Sequence, residues 1–225
     1  MSARRASKNR NPLLRQALDS DGVAPDETTD RILEGAIEYA EDHGMRRFTM
    51  EDVARRVGLS RVTIYRYFPK KDQLIEAVLL REMRRFLRAV DGAVAPCETL
   101  EERLVEGFVF GLNYLHNHRL LNRLLRTEPE LILPHLTVRG GPVLAAGREF
   151  IASFAKREAD RGGLPLSDAD IQGVSELLAR AMLSFVLTPE SVLGLRNTAE
   201  IRRFAEHYLA PTLQTLEGIR PEAPV

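Results

Sequence analysis

The sequence predicts an all-α protein of about nine helices, and three observations lead to that class. Apolar residues recur at helical intervals of about three to four positions along most of the chain. Serine or threonine precedes several of these runs, where helix N-caps belong. No run shows the alternation and hairpin turns of paired strands. With 225 residues, of which 44% are hydrophobic and 28% charged, the chain can bury a substantial core.

The first 27 residues lack a sustained apolar period, and we interpret them as a disordered tail that is basic first and acidic afterwards. A first amphipathic helix is predicted over 29–43, because Gly44 is a typical C-terminal stop. Its apolar face is expected to comprise Ile32, Leu33, Ala36, Ile37 and Ala40.

Two short helices follow, each with a capping residue. Thr49, with Asp52 three residues later, is predicted to cap a helix that ends at Gly58. Ser60 is predicted to cap the next helix, which runs to Phe68 and is stopped by a proline. The two helices therefore form a tight corner. Six further helices complete the chain, with predicted bounds of about 71–90, 99–118, 119–127, 141–161, 167–188 and 198 onward.

The composition constrains the compartment and the partners. Basic and acidic residues number 32 each, which argues against a uniformly basic nucleic-acid coat protein or a polybasic membrane binder. The single cysteine, Cys97, can form neither an intramolecular disulfide nor a thiolate zinc site, as is typical of a reducing compartment. No signal-peptide pattern follows the N-terminal basic residues, and the apolar stretch at 181–187 is too short to span a bilayer. We therefore expect a soluble, cytoplasmic protein.

Residues 48–74 carry the pattern with the clearest chemical meaning. Two helices joined by a three-residue turn containing glycine form a helix-turn-helix, whose second helix enters the major groove of DNA. Ile64 and Phe68 share one side of that second helix and are predicted to face the core. The opposite side and its flanks then present Arg61, Val62, Thr63, Tyr65, Arg66 and Tyr67.

These side chains suit a DNA groove. Arginine can bond guanine or phosphate, valine and threonine methyl groups can contact thymine, and tyrosine hydroxyls can reach phosphates. Lys71 adds a cation at the start of the following helix, where backbone N–H groups favour an anion. From Arg46 to Lys71 the chain has eight basic and two acidic residues, so the neutral total conceals a local charge of +6.

This stretch resembles the DNA-binding domain of the tetracycline-repressor (TetR) family of bacterial transcriptional regulators. The resemblance covers 29–75 and rests on Phe48, Thr49, Val53-Ala54, Val57-Gly58-Leu59-Ser60, Thr63-Ile64-Tyr65, Tyr67-Phe68, Lys71 and Leu74. Val62 departs from the glycine that many members have there, which leaves the base contact at that position open. The rest of the chain matches the family in length, helical character and order of parts.

The resemblance implies a homodimer that reads a palindromic operator on double-stranded DNA and a small-molecule effector that releases the DNA. The implied contacts are with phosphates for Thr49, Tyr67 and Lys71, and close to bases for Arg61, Val62, Thr63 and Tyr65. Arg66 joins this set from helix geometry alone. The alternative for the two tyrosines is packing on the neighbouring helix.

The domain organisation follows the same division. We expect a tail over 1–27, a three-helix DNA-binding domain over 28–75, a helical-bundle domain for effector binding and dimerisation over 76–217, and a C-terminal tail over 218–225. Bundles commonly leave a cavity between facing helices, and the lack of an obvious buried charge cluster favours an apolar effector. The candidate effector-binding residues are Phe108, Leu112, Tyr114, Leu115, His116, Phe150 and Phe154. Their alternative role is plain core packing.

The resemblance also implies that the last two helices pair with their symmetry mates. They supply more apolar surface than one monomer face needs, and a two-fold interface is self-complementary. The candidate dimer-interface residues are Leu177, Leu178, Ala181, Met182, Phe185, Phe204, Tyr208 and Leu209. Burial within one chain is the alternative.

Other signals carry less chemistry. His116-Asn117-His118 spells the name of a nuclease motif, but three consecutive helical residues point in different directions, so we expect no metal site. No cofactor fingerprint or catalytic arrangement is visible, and we expect neither a cofactor nor enzymatic activity. The basic N-terminal residues allow a solvated leader or a minor-groove arm. We therefore predict a ligand-responsive regulator, usually a repressor; the rivals are an architectural DNA-binding protein without a ligand and a helical enzyme.

Overall fold

The computed structural model describes residues 27–160 and 167–213, and this part of the chain is helical without strands, as predicted. The described residues form ten α-helices, none of them long and apolar enough to cross a membrane. A π-helical turn, Ala205–Leu209, follows the last of them. The predicted tails lie outside the described residues, except that Glu27 begins the first helix. The bounds are α1 Glu27–His43, α2 Met50–Val57, α3 Arg61–Tyr67, α4 Lys71–Val94, α5 Leu100–His116, α6 Arg119–Thr127, α7 Pro129–Leu136, α8 Gly141–Asp160, α9 Asp168–Leu187 and α10 Thr198–Phe204.

Local chemistry explains where these helices begin and end. Thr99 accepts a hydrogen bond from the Glu102 N–H at 3.1 Å, while the Glu102 carboxylate accepts the Thr99 N–H at 3.2 Å, so the predicted capping box begins α5. The Ser167 side chain caps α9 by accepting a first-turn N–H at 3.2 Å. Gly44 ends α1 with a φ of 83°, a left-handed conformation that favours glycine.

One helix, α7, was absent from the predicted set of about nine. It begins at Pro129, which suits the first helical position because an N–H there has no acceptor within the helix. It also contains Pro134, and its eight residues give too few turns for a periodic apolar pattern to stand out.

Several predicted helix bounds are wrong. α1 begins at Glu27 rather than at 29, and α4 ends at Val94 rather than near Val90, because a glycine inside a helix, here Gly92, costs only about 1 kcal/mol and does not end it. Thr198 was expected to cap the last helix, but the Asn197 side chain does so by accepting a backbone N–H at 3.0 Å. α5 ends at His116 rather than near His118. The reason is that His118 accepts the Leu121 N–H at 3.2 Å and becomes the N-cap of α6.

The described chain divides into two compact units. The first unit comprises 27–85 with 118–135, and the second comprises 86–117, 136–160 and 167–213. The segment 118–135 therefore belongs with the N-terminal helices, although the chain reaches it only after 86–117. The core of the first unit includes Ile32, Ala36, Ala40, Val53, Ile64, Leu74, Val78, Leu120 and Leu124.

An aromatic cluster occupies the core of the second unit. The ring centroid of Phe108 lies 5.7 Å from that of Phe204 and 6.3 Å from that of Phe185. Phe185 and Phe204 pack edge to face at 5.3 Å, and Tyr208 extends the cluster at 5.4 Å from Phe204. Such pairs contribute about 0.5–1.5 kcal/mol each beyond their burial, so the cluster joins α5, α9 and α10 firmly.

Candidate nucleic-acid interface

The corner between α2 and α3 consists of Gly58, Leu59 and Ser60. Gly58 has a φ of 65°, and the Leu59 N–H donates to the Ala54 carbonyl at 2.9 Å, which closes the end of α2. Ser60 then begins α3 by accepting the Thr63 N–H at 3.1 Å. The predicted turn and cap are both present, so the segment is a helix-turn-helix.

Burial sets the orientation of α3. Ile64 is fully buried and Phe68 is half-buried, which places this side of the helix in the core as predicted. On the other side Val62 is 78% exposed and Tyr65 is 37% exposed. Of the other predicted residues, Arg61 and Arg66 are exposed, and Thr63 and Tyr67 are half-buried.

The two arginines of α3 lie over tyrosine rings. Arg61 Cζ is 5.3 Å from the Tyr65 ring centroid, and Arg66 Cζ is 5.4 Å from the Tyr67 centroid. Arg61 also forms an ion pair with Glu51 of α2. The hydrogen bond with Tyr65 and the charge of Glu51 raise the pKa of Arg61. The two guanidinium groups are therefore partly oriented by the tyrosine rings before a partner binds.

The remaining predicted phosphate contacts, Thr49 and Lys71, lie at helix starts. Thr49 caps α2 by accepting the Asp52 N–H at 3.2 Å, and its hydroxyl donates to the Asp52 carboxylate, which lowers the pKa of that carboxyl. Lys71 is the first residue of α4, and its Nζ donates to the Arg46 carbonyl at 3.4 Å. The same Nζ lies 5.7 Å from the Phe48 ring centroid. Both side chains thus stand where the helix dipole favours an anion.

Several cations of this region are already paired within the fold. Arg56 donates to Glu38 at 3.1 Å and to Asp42 at 2.9 Å, which lowers the pKa of Asp42 and ties α2 to α1. Arg46 forms an ion pair with Glu130 of α7. Because these carboxylates lie elsewhere in the sequence, the local charge of +6 overstates the field at this surface. Their pairing depends on tertiary packing, which the sequence pattern did not indicate.

α1 and α2 approach each other closely at Gly35. A Cβ on Gly35 would lie 2.2 Å from Cγ1 of Val57, far inside contact distance. The guanidinium of Arg31 adds a hydrogen bond to the Val57 carbonyl at 2.9 Å. Together these contacts position α2 and therefore the corner that follows it. Neither was predicted, although a glycine on the inner side of an apolar helix was an available signal.

A buried carboxylate that was not predicted contacts the loop between α1 and α2. Glu128 is 8% exposed, and its Oε2 accepts the Met45 N–H at 2.8 Å and the Arg46 N–H at 3.0 Å. No sequence pattern marked Glu128, because its partners are backbone groups 83 and 82 positions away.

The candidate effector-binding residues lie in the second unit, on α5 and α8. Phe108 and Leu112 are buried, and Phe108 belongs to the aromatic cluster of α5, α9 and α10. Phe150 and Phe154 contact each other edge to face, with ring centroids 5.0 Å apart. The other three candidates are half-buried, namely Tyr114, Leu115 and His116.

The candidate interface residues differ in their exposure. Leu177 is 63% exposed and Tyr208 is 55% exposed. The buried members are Leu178, Phe204 and Leu209, and the half-buried members are Ala181, Met182 and Phe185. Leu177 borders a shallow groove of about 320 Å³ between α8 and α9. The groove is otherwise lined by Arg148, Gln172, Gly173, Glu176 and Arg180.

The remaining sequence signals have structural partners. His116 Nε2 lies 3.5 Å from a backbone carbonyl of α9, and His118 Nε2 lies 2.9 Å from the Glu82 carboxylate. Within 27–160 and 167–213, no group of three or more histidine, cysteine or acidic side chains could hold a metal ion. Burial raises the pKa of the Cys97 thiol, which disfavours the reactive thiolate.

Comparison with known proteins agrees with this geometry. Residues 32–78 match the family described as bacterial regulatory proteins, tetR family. An HTH-type transcriptional regulator of Mycobacterium tuberculosis is 26% identical over 184 residues, which is 81% of this chain and 83% of that protein. AlkX, a TetR family repressor from Dietzia sp. implicated in biodegradation of n-alkanes, is 23% identical with a TM-score of 0.62, over 83% of this chain and 98% of that chain. RolR, solved in complex with resorcinol, is 13% identical with a TM-score of 0.52, over 88% of this chain and 97% of that chain.

The helix-turn-helix and these similarities define the class of protein: a DNA-binding transcriptional regulator rather than an enzyme. The family match covers the helix-turn-helix and its flanking helices, and the two solved structures share the fold over most of the chain. The match over residues 32–78 and the shared fold support a regulator of the TetR family, as the sequence resemblance implied.

Proposed function

We propose that this regulator binds a palindromic operator as a homodimer and represses transcription until a small, apolar effector releases it. The observation that carries the proposal is the exposed face of α3, where Val62 is 78% exposed beside Arg61 and Tyr65. A large apolar side chain flanked by a cation and an aromatic ring suits a groove that offers methyl groups, acceptors and phosphates. Action on chromosomal DNA assigns the protein to the cytoplasm.

Each side chain of α3 has a proposed role. Arg61 and Arg66 bond guanine or phosphate, and Val62 and the Thr63 methyl group contact thymine methyl groups. Because Arg61 is paired with Glu51 in the free protein, it exchanges that carboxylate for a base or phosphate on binding. Tyr65 is assigned a position close to the bases, and Thr49, Tyr67 and Lys71 are assigned to phosphates.

The homodimer is proposed to form through α9 and α10. Leu177 and Tyr208 are the candidate side chains that lie mostly open to solvent in one chain, and a second copy would cover them. Two recognition helices placed about 34–36 Å apart would fit successive major grooves on one side of the duplex.

The effector is proposed to bind among the aromatic side chains of α5 and α8. RolR, which has the same fold, is solved with resorcinol, so this fold accommodates a small organic molecule. An effector that favours a different spacing of the recognition helices lowers DNA affinity by population shift. DNA must then lower the affinity for the effector by the same factor.

The direct test is binding to DNA fragments that flank the protein's own gene, followed by footprinting. We expect a palindromic footprint that Arg61→Ala abolishes at matched concentration and that Arg139→Ala, a control at an exposed arginine of the second unit, leaves unchanged. Sedimentation at micromolar concentration should give a dimer, and a monomer would disprove the paired-helix mechanism. A DNA affinity that no small molecule alters would favour the architectural alternative.

A further inference from the structure

We propose that Glu128 is a positioning residue for DNA binding, because its carboxylate fixes the α1–α2 loop, residues 44–49, which supports the phosphate-contacting Thr49 and Lys71. The inference rests on the proposed function, since that function assigns these two side chains to DNA. Glu128 does not itself face the DNA-reading side of α3, because it is 8% exposed and bonds the loop backbone.

The backbone at Glu128 is tightly constrained. Its N–H donates to the Leu124 carbonyl at 2.9 Å as the C-cap of α6, and the next residue is Pro129, the first of α7. From this position Oε2 accepts both loop N–H groups, at 2.8 Å from Met45 and 3.0 Å from Arg46. Charge-assisted bonds to a carboxylate are roughly twice as strong as neutral ones, so the loop amides are held firmly.

The loop is shaped around this carboxylate. Gly44 has a φ of 83°, which favours glycine, and a Cβ at this position would lie 2.1 Å from Glu128 Oε1. The backbone conformation therefore favours glycine, and a Cβ at this position would displace the carboxyl group of Glu128. The two residues are complementary in shape as well as in hydrogen bonding.

The loop connects Glu128 to the DNA-contacting ends of two helices. Arg46 donates its N–H to Glu128 and accepts the Lys71 Nζ on its carbonyl at 3.4 Å. Phe48 is buried, its ring centroid lies 5.7 Å from the Lys71 Nζ, and it directly precedes Thr49, the N-cap of α2. Moving the loop amides would thus move the acceptor that orients Lys71 and the residue that begins α2.

The segment that carries Glu128 is itself anchored within the first unit. At its start His118 bonds the half-buried Glu82 at 2.9 Å, and Arg119 lies 3.4 Å from Glu41 of α1. At its end Glu130 pairs with the Arg46 side chain. Glu130 is about half exposed and contacts a side chain rather than the loop backbone, so it provides a matched control for Glu128.

The test measures DNA affinity across a salt series with a duplex carrying the footprinted site and a random duplex of equal length. We expect Glu128→Ala to weaken binding to both about tenfold. We also expect it to reduce the salt slope by about one, as Lys71→Ala does. The double variant E128A/K71A should lose little more than either single variant, since both remove the same phosphate contact. Glu128→Gln keeps an acceptor oxygen of the same reach and should restore binding to within about threefold, and Glu130→Ala should leave the slope unchanged.

A purely structural role would not change the salt slope of the folded protein, so affinities are compared at matched folded fraction from circular dichroism. If Glu128→Ala does not fold, Glu128→Asp, which shortens the reach by one methylene, is expected to give the same slope change at smaller amplitude. Wild-type affinity and slope in the folded alanine or aspartate variant, or additive losses in the double variant, overturn the inference while the proposed function stands. A wild-type protein that binds no fragment specifically overturns both.

Discussion

Gly35→Ala tests the close approach of α1 and α2 that positions the helix-turn-helix. The new Cβ would lie 2.2 Å from Val57 Cγ1, whereas carbon atoms normally stay about 3.5–4.0 Å apart. Overpacking of this kind costs about 1–3 kcal/mol, and the better helix propensity of alanine offsets about 1 kcal/mol of it. We therefore expect Gly35→Ala to lower the free energy of unfolding by up to about 2 kcal/mol.

A second substitution separates the clash from propensity. Val57→Ala removes Cγ1, and the next neighbour of the new methyl group is then the residue 57 Cβ at 3.7 Å, an ordinary contact. In the Val57→Ala background, Gly35→Ala should stabilise the protein by up to about 1 kcal/mol. The coupling free energy between the two substitutions is therefore expected to be about 1–3 kcal/mol.

The assay is urea unfolding followed by circular dichroism, for all four members of this cycle. Protein concentration is held constant because association would contribute to stability. Gly92→Ala is the matched control, since a Cβ there meets nothing within 4 Å and the residue lies in α4. It should stabilise by up to about 1 kcal/mol. If Gly35→Ala stabilises the protein as much as Gly92→Ala does, or if the substitutions at Gly35 and Val57 show no coupling, α1 and α2 do not approach each other as closely as described.

Four further outcomes are expected. Arg61→Ala should cost about 1–3 kcal/mol on the operator and much less on random DNA, and equal losses would exclude base reading. Lys71→Ala should weaken binding to all DNA sequences similarly and lower the slope of log affinity against log salt concentration by about one. An unchanged slope would exclude a phosphate contact by Lys71. Burial raises the pKa of Glu82, but its hydrogen bond to His118 and the nearby positive charges lower the pKa by more than burial raises it. The folded-state pKa of Glu82 is therefore depressed. Its stabilisation is then complete above the unfolded pKa of about 4.3 and lost as pH falls through the folded value. In urea unfolding, the wild-type protein should be more stable than Glu82→Gln, and this difference should shrink below about pH 4. A difference that stays constant with pH would argue against the depressed pKa of Glu82. Leu177→Glu should give a folded monomer in sedimentation, whereas a persistent dimer would move the interface elsewhere.

The helix-turn-helix was predictable because its signals are local. Ser60 caps α3, Gly58 turns the chain, and Ile64 marks the buried side, and each of these acts within a few residues of itself. Once Ile64 is buried, helical geometry alone places Val62 on the exposed side. The family resemblance lies in the same short run, so the helix-turn-helix and the exposed side of α3 could be predicted together.

The contacts that hold α2 and the α1–α2 loop in place could not be predicted, because they join distant parts of the chain. Nothing near Glu128 in the sequence indicates that it bonds the loop at Met45, and nothing near Gly35 indicates that Val57 packs against it. The charge of Arg56 was counted as available for DNA, whereas it is paired with α1. The local spacing of apolar residues does not show which distant residues pair in the folded protein.

The effector and dimer assignments have a different difficulty. Periodicity marks an apolar helix face but does not say whether the same chain or a second copy covers it. Phe108, assigned to the effector, and Phe204, assigned to the dimer, pack against each other in one chain. Leu177 lies open to solvent in one chain, and the sedimentation experiment tests whether a second copy covers it.

The most direct test of the central proposal is photo-crosslinking from position 62 to DNA. A photoreactive amino acid replaces Val62, which is 78% exposed on α3, and a control protein carries the same group at the fully exposed Val192. With the footprinted duplex, we expect position 62 to crosslink to bases inside each half-site and position 192 to give no site-specific product. Crosslinks from position 192 inside the footprint, with none from position 62, would contradict the assignment of α3 as the recognition helix.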